Sequence, residues 1–245
     1  MFFVFNKRKI NSYLISIGTV LMLLSVSLFM NESDSKLIET GATNIKVEPI
    51  YRVETQKKKV SISINCSENV ENIEKIIDVL SKMNEKATFF VSGKVAETYP
   101  DKIKKIEKSG NEIGIFSYNY KNLKKLEVEE VKKEIEMGIK TIEKITNKKV
   151  KIFRAPFGEC NDLIVEEAKK QKLTTVQWSL DSLDYNGLDG EEMCERIDEG
   201  LMPGNIILLH NTGKNTVNSI ESIIKTIKSK EYEICKVSEL IKLQK

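Results

Sequence analysis

From position 58 onward, apolar residues fall into two periods that take turns along the chain. Residues 60–65 (VSISIN) alternate with period two, as a strand with one buried face does. Ile73, Ile76, Ile77 and Leu80 then recur at three- and four-residue spacing, which predicts a helix with a single apolar stripe. The alternation continues with a strand at 88–91, an amphipathic helix at 100–109 ended by Gly110-Asn111, and a strand at 112–116. The longest helical pattern covers 128–145, with Val128, Val131, Ile135, Ile139, Ile142 and Ile145 on one face. Strands at 150–154, 174–180, 206–210 and 233–237 follow, separated by helices at 163–171, 191–201 and 217–228. Seven strands alternating with helices predict an α/β domain with a parallel sheet. Periodicity alone leaves a small barrel and an open doubly wound sheet as alternatives.

The first 57 residues obey neither period. Residues 10–30 carry no charge and are rich in Leu, Ile and Val. At ~1.5 Å rise per residue, roughly 20 such residues cross a bilayer core. Lys7, Arg8 and Lys9 precede the run, and Glu32 and Asp34 follow it. Residues 1–9 are therefore expected as a cytoplasmic flank and 10–30 as a transmembrane anchor, with everything after position 30 on the extracytoplasmic side. Ser25-Val26-Ser27 keeps open the alternative of a cleaved signal. Residues 31–57 are polar and aperiodic and read as a linker, and 58–245 as the folded domain.

Charge narrows the partners. With 39 Lys and Arg against 36 Asp and Glu, the net charge is +3, which gives no reason to expect a nucleic-acid partner. The four cysteines, Cys66, Cys160, Cys194 and Cys235, form no CxxC pair, so a zinc ribbon is not expected. An exported domain permits disulfides. Cys66 and Cys160 lie in segments at strand ends, where a disulfide, a soft-metal site with His210 and unpaired buried thiols all remain open.

In parallel β/α folds, chemistry collects at the carboxyl ends of the strands. Those ends hold Asn65-Cys66-Ser67-Glu68, Phe116 to Tyr120, Arg154 to Gly158, Asp181-Ser182 and His210-Asn211. His210 is the only histidine of the chain, so a two-histidine metal site is excluded by composition. One arginine, one carboxylate and one histidine on a common rim suit proton transfer: Asp181 to orient His210, and Arg154 to neutralise developing negative charge. The competing reading has Asp181 capping a turn, Arg154 paired with a nearby carboxylate and His210 satisfied within the core.

In order and wording these segments resemble the motifs of NodB-type polysaccharide deacetylases. VSISINCSEN, ATFFVSG, EIGIFSYNYKNL, FRAPFGECN, WSLDSLD and GNIILLHN stand in the family's sequence. The resemblance covers about 58–243 and implies a distorted (β/α) barrel, preceded here by the transmembrane helix. Within the family, the stretch 118–122 (YNYKN) is similar to the sporulation, PdaB-like branch, which implies a place in the forespore or spore envelope. The implied partner is peptidoglycan or another N-acetylated glycan.

By resemblance, Arg154 holds the residue at the base position, Asp181 tunes the histidine and His210 protonates the departing amine. Tyr118, Tyr120, Pro156, Gly158 and Trp178 are the implied substrate-binding residues. The family uses a divalent metal such as zinc, held by an aspartate and two histidines, and a second aspartate as base. This chain has Asn65, Cys66, Phe116 and Tyr120 at those positions, so no metal is expected. The expected function is a membrane-anchored extracytoplasmic protein of the deacetylase type, acting on or binding such a glycan in sporulation, with the standard metal site lost and binding ranked ahead of turnover. An amide hydrolase built around His210, Asp181 and Arg154, and a structural envelope protein, are the alternatives.

Overall fold

The computed structural model describes residues 48–68 and 70–244. The expected flank 1–9, the apolar run 10–30 and the greater part of the 31–57 linker lie outside the described residues. Among the described residues, no helix is long and apolar enough to cross a membrane.

Among the described residues, eight parallel strands form one sheet: β1 (Lys59–Cys66), β2 (Thr88–Val91), β3 (Glu112–Ile115), β4 (Ile152–Phe153), β5 (Thr174–Thr175), β6 (Leu180–Asp181), β7 (Ile206–His210) and β8 (Glu233–Ile234). Their order is β5-β4-β3-β2-β1-β7-β6, with β8 beside the start of β1. The helices are α1 (Glu71–Lys82), α2 (Gly93–Thr98), α3 (Pro100–Lys108), α4 (Val128–Thr146), α5 (Asp162–Lys170), α6 (Gly190–Gly200), α7 (Thr216–Ser229) and α8 (Val237–Ile241). The short helices α2 and α8 were not expected from the pattern: six and five residues are too few to establish a helical period.

The pleat of β1 separates two cores. Val60, Ile62, Ile64 and Cys66 face the helices, packing with Ile73, Ile76 and Leu80 of α1 and Ile220, Ile223 and Ile227 of α7. The next face, carrying Ser61, Ser63 and Asn65, lies toward the interior, where Phe90, Phe116, Ile152, Val176 and Ile206 form a second apolar cluster. Residues of four strands and of the loop after β5 thus meet inside the curled sheet. The architecture is an incomplete barrel, which resolves the choice the periodicity left open.

The expected single strand 174–180 is two strands. β5 pairs with β4 through Phe153↔Thr175, and the chain then crosses to pair β6 with β7 through Leu180↔Ile207. The alternation of Val176, Trp178 and Leu180 with polar neighbours runs straight through the crossing, so a period-two pattern does not reveal it. The crossing leaves a seam between β5 and β6, the two ends of the sheet path.

The folded part also begins before 58. Ile50 bridges to Val176 in parallel, Arg52 bridges to Asn205, and the Val53 side chain is fully buried in the interior cluster. Polarity made these residues look like linker, yet a strap needs only one buried side chain to seat it.

Candidate functional site

Strand register assembles the site. Asn65, at the end of β1, pairs with His210 at the end of β7 on one side and with Phe90 of β2 on the other. Arg154 follows β4 directly and points inward with Ile152, reaching across the interior. Its guanidinium is fully buried. Nη1 donates to Asn65 Oδ1 at 2.8 Å, and Nη2 donates to Ser63 Oγ and to the Gln177 carbonyl, each at 2.9 Å. The plane stacks on Phe90, 3.9 Å from the ring centroid, with Trp178 at 5.5 Å on a wider approach. Among the described residues, no carboxylate is bonded to it. Burial pulls the guanidinium down to about 9, so at neutral pH it remains a cation.

These donors orient everything beyond them. Arginine has no acceptor, so the Asn65 atom facing it is the amide oxygen, and Nδ2 faces His210 Nε2 at 3.3 Å. On the other side of the ring, His210 Nδ1 lies 2.8 Å from Asp184 Oδ1. Asp184 is fully buried, and its Oδ2 also accepts from the His210 backbone N–H and from Thr216 Oγ1, both at 2.6 Å. The tautomer that satisfies both contacts carries its proton on Nδ1 and offers the Nε2 lone pair to the amide. The result is a one-way series from Arg154 through Asn65 and His210 to Asp184. One buried cation and one buried anion are joined by two neutral groups.

Asp181 is therefore not the carboxylate bonded to His210. Its Oδ1 accepts from Leu183 N–H at 2.9 Å and its Oδ2 from the Tyr185 hydroxyl at 3.3 Å, while its carbonyl accepts from Arg196. That turn carries Leu183 at φ +57° and brings the second acid of the DSLD segment under the imidazole. Two aspartates three residues apart look equivalent in a sequence; only the turn between them decides which one reaches the ring.

Of the expected substrate-binding residues, Tyr118 lies elsewhere. Its hydroxyl donates to Glu97 at 2.6 Å, and its ring lies so close over Gly93 that a Cβ there would come within 2.5 Å of it. Tyr120, Pro156, Gly158 and Trp178 are at or beside the site. Pro156 is buried, opening a short turn, and Gly158 (φ +72°) supports the Trp178 ring. Tyr120 (φ +56°) packs edge-on against Phe116 at 5.1 Å and at a tilt against Phe157 at 4.9 Å. Burial pushes its phenol above the ordinary tyrosine value, opposed by a hydrogen bond with Ser67. Phe157, with φ +61° and 58% exposed, and Tyr185, edge-on to His210 at 5.2 Å, add an aromatic rim that the sequence did not single out. Non-glycine residues in the left-handed region at 120, 157 and 183 cost about 1 kcal/mol or more each, and strain of this kind concentrates at functional sites.

The donor set does not fit a divalent metal. The Asn65 oxygen is taken by Arg154, and Cys66 packs on the helix side, its thiol pushed up by burial. Phe116 has no ligand atom, and with Phe90, Tyr120 and Phe157 it forms a continuous aromatic stack in that region. Among the described residues no group of three or more His, Cys, Asp or Glu side chains could hold a metal ion. All four cysteines are free thiols; those of Cys160 and Cys235 are each pushed up to about 11 by burial, which suits inert packing better than ligation.

Comparison with known proteins agrees with this geometry. A family model described as polysaccharide deacetylase matches residues 52–176. The uncharacterized protein YlxY of Bacillus subtilis is 31% identical over 198 residues, covering 81% of this chain and 62% of its own length. A peptidoglycan-N-acetylglucosamine deacetylase of Bacillus cereus is 30% identical over 178 residues, covering 71% of this chain and 65% of its own. The chain thus spans less than two thirds of the length of either relative. The crystal structure of wild-type BA3943 from Bacillus anthracis, described as a CE4 family pseudoenzyme, matches with a TM-score of 0.78 at 29% identity, over 82% of this chain and 72% of that one. A mutant of BA3943 is described as having restored enzymatic activity.

Proposed function

Since the chain belongs to the polysaccharide deacetylase family, we propose that it binds an N-acetylated glycan of the peptidoglycan type without hydrolysing it by the family's metal-dependent route. The observation that carries this reading is the position of Asn65. An amide held between an arginine donor and an imidazole acceptor cannot take a proton from water. With Phe116 and Tyr120 stacked nearby, nothing polarises an acetyl carbonyl in the way a Lewis acid does. What remains is a set of aromatic side chains about the strand ends: Tyr185 edge-on to His210, Trp178 facing Arg154, and the exposed Phe157 against Tyr120. Rings of this kind pack against the C–H faces of sugars, and the imidazole offers a polar contact.

Peptidoglycan as the glycan is supported by the name of the Bacillus cereus relative, and loss of turnover by the description of BA3943. The sporulation branch rests on Tyr118 to Asn122, and membrane anchorage on the uncharged run 10–30 with its basic flank. A second reading is favoured by the His210–Asp184 pair, which has the form of a proton-delivering couple: an amide hydrolase working without the metal.

Calorimetric titration with peptidoglycan fragments, with acetate assayed in the same samples, separates the readings. The proposal expects saturable binding, weakened by His210→Ala, and no acetate. Acetate release that His210→Ala abolishes would establish the hydrolase instead, and absence of binding would remove both.

A further inference from the structure

The segment before β1 is wired to the site through one peptide. Ile50 N–H donates to the Thr175 carbonyl at 2.9 Å, and the Ile50 carbonyl accepts from Gln177 N–H at 2.8 Å. The carbonyl of that same Gln177 accepts from Arg154 Nη2 at 2.9 Å. The residue after it, Trp178, faces the guanidinium. Further along, Val53 N–H donates to the Gly204 carbonyl at 3.0 Å, and the Val53 side chain is buried among Phe90, Phe116, Ile152 and Val176. The approach is close enough that a Cβ on Gly204 (φ +81°) would lie 1.8 Å from the Val53 carbonyl oxygen. The strap is thus tied at Ile50 to the loop leaving β5 and at Arg52 and Val53 to the start of β7, on either side of the seam that the sheet leaves open.

We propose that the strap from Ile50 to Val53 is a positioning element for the glycan site, holding the Gln177–Trp178 peptide in the register that Arg154 and the aromatic rim require. The crossing between β5 and β6 has no strand partner of its own at Gln177. Its N–H is held by the strap, and among the described residues its carbonyl is the one acceptor of Arg154 outside β1. Without the strap this peptide is free to rotate, Arg154 loses one leg of its fork, and Trp178 moves with the peptide. Ile50, Arg52 and Val53 touch no ligand in this account; they act through Gln177. The inference rests on the glycan-binding reading only for its effect on affinity.

The test uses the intact 245-residue chain, whose single tryptophan is Trp178. Ile50→Pro removes the donor to Thr175, whereas Ile50→Ala keeps both backbone bonds. Acrylamide quenching of Trp178 fluorescence, glycan-fragment affinity and the thermal midpoint are read for each. Ile50→Pro is expected to raise the quenching constant at least twofold and to weaken binding at least tenfold. Ile50→Ala should hold both within a factor of two. Ile223→Ala, in the helix-side core, should lower the midpoint without changing the quenching; an equal rise in quenching there would mean global loosening and overturn the proposal. Parent-like quenching and affinity in folded Ile50→Pro would overturn it too. Should that variant not fold, hydrogen exchange at Gln177 N–H in the unmodified chain decides: slow exchange supports a seated strap, and loop-like exchange refutes it. If the parent itself binds no glycan, the functional reading falls while the quenching result still decides the strap.

Discussion

Arg154→Lys is the perturbation most informative about the network. Arg154 is a fully buried cation whose bonded partners are all neutral: Asn65 Oδ1, Ser63 Oγ and the Gln177 carbonyl. A lysine keeps the charge but replaces a flat fork by a tetrahedral head, which cannot lie against Phe90 and still face all three acceptors. At least one acceptor is left buried and unbonded, at about 1–3 kcal/mol, and the stacking on Phe90 adds about 0.5–2 kcal/mol. Partial relaxation offsets some of this, so a loss of roughly 2–4 kcal/mol is expected, or several degrees in Tm for a domain of this size. Urea unfolding followed by circular dichroism measures it, with an unchanged slope showing that the transition remains two-state. Because Arg154 orients the Asn65 amide, the loss should be non-additive with Asn65→Ala by about 0.5 kcal/mol or more. A loss below about 0.5 kcal/mol, or strict additivity of the pair, refutes the network as described.

Asp184→Asn should destabilise the domain by roughly 2–4 kcal/mol, since a buried group accepting three short bonds cannot keep all of them as an amide, whereas Asp181→Asn should stay within about 1 kcal/mol; parallel urea titrations compare the two. Phe157→Ala should leave stability within about 1 kcal/mol and weaken fragment binding about fivefold or more, as read by titration calorimetry. Alkaline titration at 295 nm should show a late phenol that Tyr120→Phe removes, because burial holds that phenol above the usual value. The folded state then binds this proton more tightly than the unfolded state, so the contribution is intact below the ordinary tyrosine pKa of ~10 and is lost as pH rises through the folded value.

The α/β alternation was legible because most helices and strands are long enough to show a period. α4 begins at Val128, as its apolar stripe predicted, and β7 matches 206–210 in full. Where elements are two residues long, as in β5 and β6, the pattern merged them, since the alternation of Val176, Trp178 and Leu180 continues through the crossing. The strap was missed for the opposite reason: Arg52, Glu54 and Thr55 are polar, and only Val53 carries its burial. At the site, Arg154, Asn65 and His210 were legible from strand ends. Asp184 was not, because choosing between two acids of one turn depends on the left-handed residue between them. Tyr118 failed for a similar reason: a position next to the rim does not fix the side of the loop its ring occupies. The departure from the family's motifs was the most legible part, since it lies in residue identities that no folding can alter: an amide, a thiol and two aromatic rings where the family has acids and imidazoles.

Acetate release from peptidoglycan fragments, with zinc added and again with chelator, is the direct test of the claim that the hydrolytic half of this site is gone. The unmodified protein is expected to release none in either condition. Asn65→Asp alone is expected to release none as well, because Cys66, Phe116 and Tyr120 still provide no ligand set. Zinc-dependent, chelator-sensitive acetate release by the unmodified protein would contradict the account.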